Sequence, residues 1–426
     1  MAERPRLLFV SPRFLFPMDQ GGKIRTGNIL RHLRGGAFHV TLASPAPADA
    51  ARHRTEIEAA CDRFVSWPEA APSRLRRVLA LGSALPVAAA TDRSAEGRAC
   101  VARLVQDRPE VVVADFPHAD VLMPPVPGDR PSTPPGPGDP PGAAARSGPA
   151  RVMFTHNVEA EIFERHAARA RVWWRFIWAE QHRKMRRFEQ AALRRYDTVI
   201  AVSTRDASVL RTRYDLPHVA EIDTGVDLDF FAPAPPGSPP DPDGGTLVFV
   251  ATMSWAANVE GIHFLLDEVW PRLLQRRPRL RAVIIGRNPP ASLSDKVRAR
   301  GLAVELTGFV DDIRPHVARA DVYVIPLWVG SGTRIKAFEA MAMGRPVVST
   351  SLGIEGLDVT DGEHFLRADS AEAFADAILS LLDDPTRGAR IASAARALME
   401  ERFSWARVAR QFEAICLQAL ARRSGG

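Results

Sequence analysis

Cysteine is nearly absent: Cys61, Cys100 and Cys416 are the three in 426 residues, far apart and in no metal-ligand spacing. That excludes a disulfide-stapled scaffold and a cysteine-rich zinc module, and it points to a reducing, cytoplasmic setting. Long apolar runs are missing too. The best, residues 78–90, falls short of the ~20 residues a membrane span needs and is broken by Gly82 and Pro86. The apolar stretch at 7–10 is too brief for the core of a secretory leader, so none is expected. Lysine is rare, with Lys23, Lys184, Lys296 and Lys336 the only four among 56 basic residues. Fifty acidic residues leave a formal charge of +6, which favours anionic partners without choosing among nucleic acid, lipid and phosphorylated small molecules. The charge is spread along the chain and no nucleic-acid-binding motif stands out, so no nucleic-acid partner is expected. A glycine fingerprint of the Gly-x-Gly-x-x-Gly kind is also missing after the first apolar run, which argues against a nicotinamide dehydrogenase.

What is present is an ordinary globular composition, 46% hydrophobic and 25% charged, over a length that suits two domains. Short apolar runs occur at 7–10, 38–43, 111–114, 152–155 and 198–202, and again at 247–251, 282–285, 303–306, 322–325 and 347–349. Helical patterns separate most of them. Continuous apolar runs of this length read as strands buried on both faces, as in parallel sheets. The fold class is therefore α/β, with two doubly wound Rossmann-like domains facing a cleft. Two segments rich in proline interrupt the alternation. Residues 124–149 read as a disordered loop inside the first domain, since strand-like runs flank them. Residues 232–245 read as the linker between a first domain at 1–231 and a second at 246–402. Ligands of such sheets sit at the carboxyl ends of the strands, where loops meet helix N-termini.

The segment after the run at 322–325 has that form. Gly330, Ser331, Gly332 and Thr333 make a turn that lets backbone approach a ligand, and a helix follows with Arg334 and Lys336 in its first turn or so. Cations at a helix start oppose its dipole, at roughly 0.3–1 kcal/mol each, and a bound anion reverses the sign. Glu339 lies three residues beyond Lys336 on the same face. The bland reading is a surface ion pair, but glutamate before lysine is the better order for one. A carboxylate just past a phosphate site is placed to accept two ribose hydroxyls. In the first half, Gly21 and Gly22 precede a helix whose first turn carries Lys23 and Arg25, which again suggests a nearby anion. His156 ends an apolar run; Asn157 is a natural helix cap, and Glu159 and Glu161 are first-turn acids rather than catalysts. Asp227 and Asp229 superficially form an Asp-x-Asp metal motif, but their setting is a turn, and no metal is expected.

Residues 171–195 allow two readings. Trp173, Trp174, Phe176, Ile177 and Trp178, followed by Arg183, Lys184, Arg186 and Arg187, suit a helix lying on an anionic membrane. Phe188, Ala191, Ala192 and Leu193 suit a core helix with a solvated basic face.

An ordered set of motifs now resembles the retaining GT-B glycosyltransferases of family 4 (glycosyl transferases group 1) over nearly the whole chain. It comprises Asp19-Gln20-Gly21-Gly22, Thr155-His156-Asn157, Asp223-Thr224-Gly225, Val250-Ala251-Thr252-Met253 with Asn258, Ile285-Gly286-Arg287-Asn288, Gly308-Phe309-Val310-Asp311-Asp312, the segment 330–344, and Gly353-Ile354-Glu355-Gly356. The resemblance implies a nucleoside-diphosphate sugar held mainly by the second domain and a glycan or lipid-linked acceptor held mainly by the first. It implies a hexosyl transfer with retention, in which the leaving phosphate takes the acceptor proton, as in polysaccharide biosynthesis. No cofactor or catalytic metal is implied. By the same resemblance Glu339 is the ribose carboxylate, Arg334 and Lys336 are diphosphate partners and catalytic, and His156 contacts the donor sugar. Donor binding extends to Gly21, Gly22, Arg287, Val310, Gly330, Ser331, Gly332 and Thr333. For Phe309 itself, packing is the expectation. The last stretch, 403–426, is expected to be a helix returning to the first domain. One departure stands out: the family often has a first glutamate eight positions before the second, and here that position is Ser331. A noncatalytic nucleotide-sugar-binding or scaffold protein with a degenerate site, and a nucleotide-sugar epimerase of related fold, are the alternatives. A cytoplasmic protein with peripheral contact to the inner face of an anionic membrane fits this reading.

Overall fold

The computed structural model describes residues 4–69, 74–125, 148–169, 172–233, 243–253, 255–328 and 335–424. They fold into two compact units, Met1–Asp223 with Ala406–Gly426, and Thr224–Trp405. Most of the proline-rich loop 124–149, most of 232–245 and the whole glycine turn 330–334 lie outside the described residues.

The first unit is built on seven strands: β1 (Arg6–Val10), β2 (His39–Ala46), β3 (Arg63–Pro68), β4 (Val111–Asp115), β5 (Ala150–Phe154), β6 (Thr198–Ala201) and β7 (Val219–Glu221). They lie in the order β3-β2-β1-β4-β5-β6-β7, all pairs parallel. Phe9 on β1 stands between Leu42 of β2 and Val113 of β4, and all three are completely buried. The helix Trp405–Ser424 belongs to this unit from Ala406 onward. Its Phe412 packs on Phe9 and Phe154 at ring distances of 6.3 and 5.2 Å, and its Glu413 accepts the Ala37 N–H at 2.6 Å.

The second unit repeats the plan with β8 (Thr246–Val250), β9 (Arg281–Ile285), β10 (Val304–Gly308), β11 (Val322–Ile325), β12 (Val347–Ser349) and β13 (Leu366–Arg367). Their order is β10-β9-β8-β11-β12-β13, again parallel. In both sheets the winding reverses beside the first strand, between β1 and β4 and between β8 and β11. The crevice at the carboxyl ends of such a pair is where ligands of open α/β sheets bind.

The strands at the sheet centres coincide with the continuous apolar runs. The three extra ones, β3, β7 and β13, are edge strands. An edge strand is open on one side and need not carry a continuous apolar run, although β10, also at an edge, is marked by the run at 303–306.

The chain changes units earlier than the expected linker. The Val226 N–H donates to the Phe403 carbonyl at 2.7 Å and Val226 bridges Ser404. A Cβ on Gly225 would meet the Trp405 ring at 2.3 Å, so only glycine allows this approach. Arg314 stacks on Phe230 at 3.8 Å, and Arg396 donates to the Phe231 carbonyl at 3.1 Å. These contacts draw 224–233 into the second unit. The segment 232–245 therefore falls within that unit's sequence range rather than between the two, and the second crossing comes after Trp405 rather than at 402.

Candidate functional site

In the first unit, polar residues gather where β1, β4 and β5 end. His156 is buried, with Nε2 2.8 Å from Asp115 Oδ1 and Nδ1 3.2 Å from an Arg25 guanidinium nitrogen. Asp115 also accepts the Ser11 and Thr26 hydroxyls at 3.0 and 3.1 Å. An imidazole placed between a carboxylate and a guanidinium has one consistent tautomer: Nε2–H donates to Asp115 and Nδ1 accepts from Arg25. Burial lowers the His156 pKa, with Asp115 opposing, so the ring is neutral. Burial also lowers Arg25, to about 10.

Phe116, at a left-handed φ of 69°, lays its ring on His156 at 4.1 Å and on His118 at 5.1 Å. Gly22 closes this stack from the helix Gly21–Leu33: a Cβ there would come within 2.7 Å of Phe116. Gly22 and His156 thus meet through one phenylalanine. The two cations of that helix start do not face open space. Arg25 is spent on His156, and Lys23 pairs with Asp19 at 3.2 Å. This corrects the expectation that they mark an anion.

The helix Glu159–Arg169 is capped differently from expectation. Its first N–H groups, of Glu159 and Ala160, donate to the Glu189 carboxylate at 2.8 and 3.1 Å, and the Tyr214 hydroxyl joins at 2.7 Å. A buried carboxylate from the helix Val172–Leu193 thereby takes the place expected of Asn157. Asp227 is likewise a turn residue, accepting the Phe230 N–H at 2.9 Å.

The Val172–Leu193 helix divides the two readings between its halves. Gln181, Met185, Glu189, Ala192 and Leu193 are buried, while Trp174 and Phe176 at its start are 58% and 75% exposed. Lys184 ties it to the end of the helix Arg74–Leu81, donating to the Leu81 and Ser83 carbonyls at 2.8 and 2.7 Å. That second helix exposes Val78 and Leu79. Among the described residues no helix is long and apolar enough to cross a membrane.

In the second unit, a cavity of about 380 Å³ opens at the ends of β8 and β11, lined among others by Thr252, Trp255, Asn258, Tyr323 and Lys336. Asn258 fixes its wall by donating to the Thr252 carbonyl at 2.8 Å. Lys336 and Glu339 stand on the helix Ile335–Ala342, both half-buried. Burial lowers the Lys336 pKa and raises that of Glu339, each opposed by the other's charge. No ion pair joins them to each other. The surface-pair reading therefore fails. Gly330, Ser331, Gly332, Thr333 and Arg334, which complete this site in the sequence, lie outside the described residues.

Two strands along, the loops after β9 and β10 make a platform. The exposed Arg287 guanidinium lies 4.4 Å from the centroid of Phe309, which is 60% exposed; Val310 beside it is half-buried. Phe309 is thus a surface ring partnered by a cation, which corrects the packing expectation. Gly286 lets this loop in, since a Cβ there would stand 2.1 Å from the Ala251 carbonyl oxygen.

Asp115, Ser11, Phe116 and Tyr323 are site residues that sequence reasoning passed over. For the first two a signal existed: buried apolar runs that end abruptly in a polar side chain.

Comparison with known proteins adds the following. Residues 244–384 match the family described as glycosyl transferases group 1, and residues 135–230 match glycosyltransferase family 4. The chain is 31% identical over 199 residues to a phosphatidyl-myo-inositol mannosyltransferase of Mycobacterium tuberculosis, covering 45% of this chain and 52% of that protein. It is 29% identical over 242 residues to the lipopolysaccharide core biosynthesis mannosyltransferase LpsB of Rhizobium meliloti, covering 52% and 66%. The chain spans about half the length of the first of these. Among solved structures, a sucrose-phosphate synthase from Thermosynechococcus elongatus superposes with a TM-score of 0.66 at 16% identity over 98% of this chain and 100% of that one. WaaG, a glycosyltransferase involved in lipopolysaccharide biosynthesis, superposes at 0.59 and 15% over 99% and 100%. At such identities the likeness is one of fold.

Proposed function

We propose that the chain, whose two halves match glycosyltransferase family 4 and glycosyl transferases group 1 and fold as two parallel-sheet α/β domains of the GT-B kind, is a glycosyltransferase of that family and moves a sugar from a nucleoside-diphosphate sugar to a glycan or lipid-linked acceptor with retention. The observation that carries this reading is the pair Lys336 and Glu339 on one helix, Lys336 lining the cavity and neither side chain making an ion pair or hydrogen bond among the described residues. Holding both half-buried with no hydrogen-bonded partner among the described residues costs desolvation energy that a ligand can return. A ribonucleoside diphosphate has the two groups required: an anion for Lys336 and a vicinal diol for Glu339.

The rest of the donor site follows. Gly330, Ser331, Gly332, Thr333 and Arg334 are assigned with Lys336 to the diphosphate. They stabilise the charge that develops as it leaves, which is electrostatic catalysis, and no metal is assigned a part. The Arg287–Phe309 platform stands on the loops after β9 and β10, the strands next along the sheet from β8. Its exposed ring and cation suit stacking on the base, with the Val310 backbone at the base edge. Gly21, Gly22 and His156 are assigned to the sugar side of the donor. His156 is buried with both ring nitrogens committed, to Asp115 and to Arg25, so its part is to hold that network on the sugar side rather than to hydrogen-bond the sugar itself, which corrects the contact expected of it. The relatives' names make a mannosyl donor the first to assay. The acceptor's setting is an anionic membrane, met by the exposed aromatic start of the Val172–Leu193 helix.

The test is a thermal-shift panel of UDP, GDP, ADP, CDP and dTDP. Ligand at ten to a hundred times its dissociation constant stabilises by about 1.4–2.7 kcal/mol. One diphosphate should stabilise selectively, and Glu339→Ala should abolish the shift. No response to any of the five overturns the donor reading. Binding without transfer to any acceptor moves the assignment to a noncatalytic sugar-nucleotide-binding protein.

A further inference from the structure

Tyr323 stands in the middle of the short strand β11, 1% exposed, in a run whose other members are aliphatic. Strand positions buried on both faces are filled by residues without polar atoms, because a buried hydroxyl left unpaired costs about 1–3 kcal/mol. The Tyr323 hydroxyl is such a group: it is buried, and among the described residues its proton has no acceptor. The residue lines the cavity together with Val250 and Lys336. Burial and, after it, the Glu339 charge raise its pKa well above the ordinary value, while the Val250 backbone N–H, a donor toward the hydroxyl oxygen, opposes them. The phenol is therefore a neutral donor with its proton unspent. Glu339, the carboxylate whose field it feels, has no donor among the described residues.

Both deficits have one solution. An ionised carboxylate offers about four lone-pair positions. A ribose diol occupies two and leaves room for a protein donor. Burial disfavours the charged form of Glu339, and a hydrogen bond to the carboxylate restores it.

We propose that Tyr323 is a positioning residue of the donor site. Its hydroxyl donates to the Glu339 carboxylate when a ribonucleoside diphosphate fills the cavity, and so orients that carboxylate toward the ribose. The inference rests on the donor reading above and adds to it the residue that makes Glu339 a competent acceptor.

The experiment is a double-mutant cycle. UDP, GDP and ADP are titrated by calorimetry into the wild type, Tyr323→Phe, Glu339→Gln and the double variant. Tyr323→Phe should weaken the preferred diphosphate by about five- to tenfold and weaken the Glu339→Gln protein no further. Its melting temperature should not fall, since phenylalanine keeps the ring and removes an unsatisfied hydroxyl. Equal affinities of wild type and Tyr323→Phe overturn the proposal while the donor reading stands. Losses that add in the double variant also overturn it, because Tyr323 would then act independently of Glu339. A wild type that binds none of these three, nor CDP or dTDP, overturns the donor reading and this inference together.

Discussion

Asp115 shows how much one side chain decides. It accepts from Ser11, Thr26 and His156, and every one of those atoms is buried. Three donors converge on its two oxygens, and this fixes the His156 tautomer. An asparagine keeps the shape but turns one acceptor into an NH₂ that faces a donor. Asp115→Asn should therefore lower stability by roughly 1–3 kcal/mol in urea unfolding. It should also change the His156 Nε2–H resonance in the NMR spectrum. An unchanged midpoint and an unchanged resonance would show that the network does not hold the ring. The same contrast explains what was legible at this scale. Lys336 and Glu339 stand out because a glycine turn and a helix face frame them. Asp115 and Tyr323 are single polar letters at or within apolar runs, and only the folded sheet shows what surrounds them.

At the scale of elements, the central strands β1, β4, β5, β8 and β11 are legible because burial on both faces writes a continuous apolar run. The cap on the Glu159 helix is not, because its acceptor, Glu189, comes from the next helix. No local pattern encodes a cap supplied by tertiary packing. That arrangement has a pH signature. Burial pushes Glu189 and Glu159 each up to about 7, Glu189 against the ordinary 4.5. The two charges oppose each other, with Glu161 and Asp92 adding to the repulsion and Arg13 relieving it, so they titrate as a pair. With a raised pKa the native state holds more protons than the unfolded one between these values. The stability due to protonated Glu189 is full below the unfolded pKa and is lost as pH rises through about 7. Glu189→Gln cannot ionise and escapes that loss. Relative to wild type, its stability should rise by roughly 1–3 kcal/mol between pH 4.5 and 7. Urea midpoints measured across that range decide the matter, and parallel curves would refute the assignment.

For the whole molecule, the two-sheet plan was readable from the alternation of runs, whereas the crossing points were not. They depend on Gly225 admitting Trp405 and on Val226 pairing with Phe403, contacts between residues nearly two hundred positions apart. The last prediction concerns the surface of the first unit. Five of its large apolar side chains stand in solvent on two helices that Lys184 ties together: Val78, Leu79, Trp174, Phe176 and Ile177. Arg77, Arg175, Arg186 and Arg187 are exposed on the same helices, while Glu180 is engaged by Arg183. Cations beside exposed aromatics match the headgroup layer of an anionic bilayer, where each contributes about 1 kcal/mol near the surface. Aromatic rings settle at the same depth. The protein should float with vesicles of phosphatidylglycerol and phosphatidylcholine but not with phosphatidylcholine alone. Salt should weaken the association through its charged part. Replacing Trp174 and Phe176 by glutamate should abolish it, because the change removes apolar area and adds repulsion at one spot. The same variant should keep the wild type's response to the proposed nucleoside diphosphate, since neither residue belongs to the unit that holds the proposed donor cavity. Wild-type protein that stays at the bottom of the gradient with anionic vesicles would sink the membrane assignment and leave the donor site untouched.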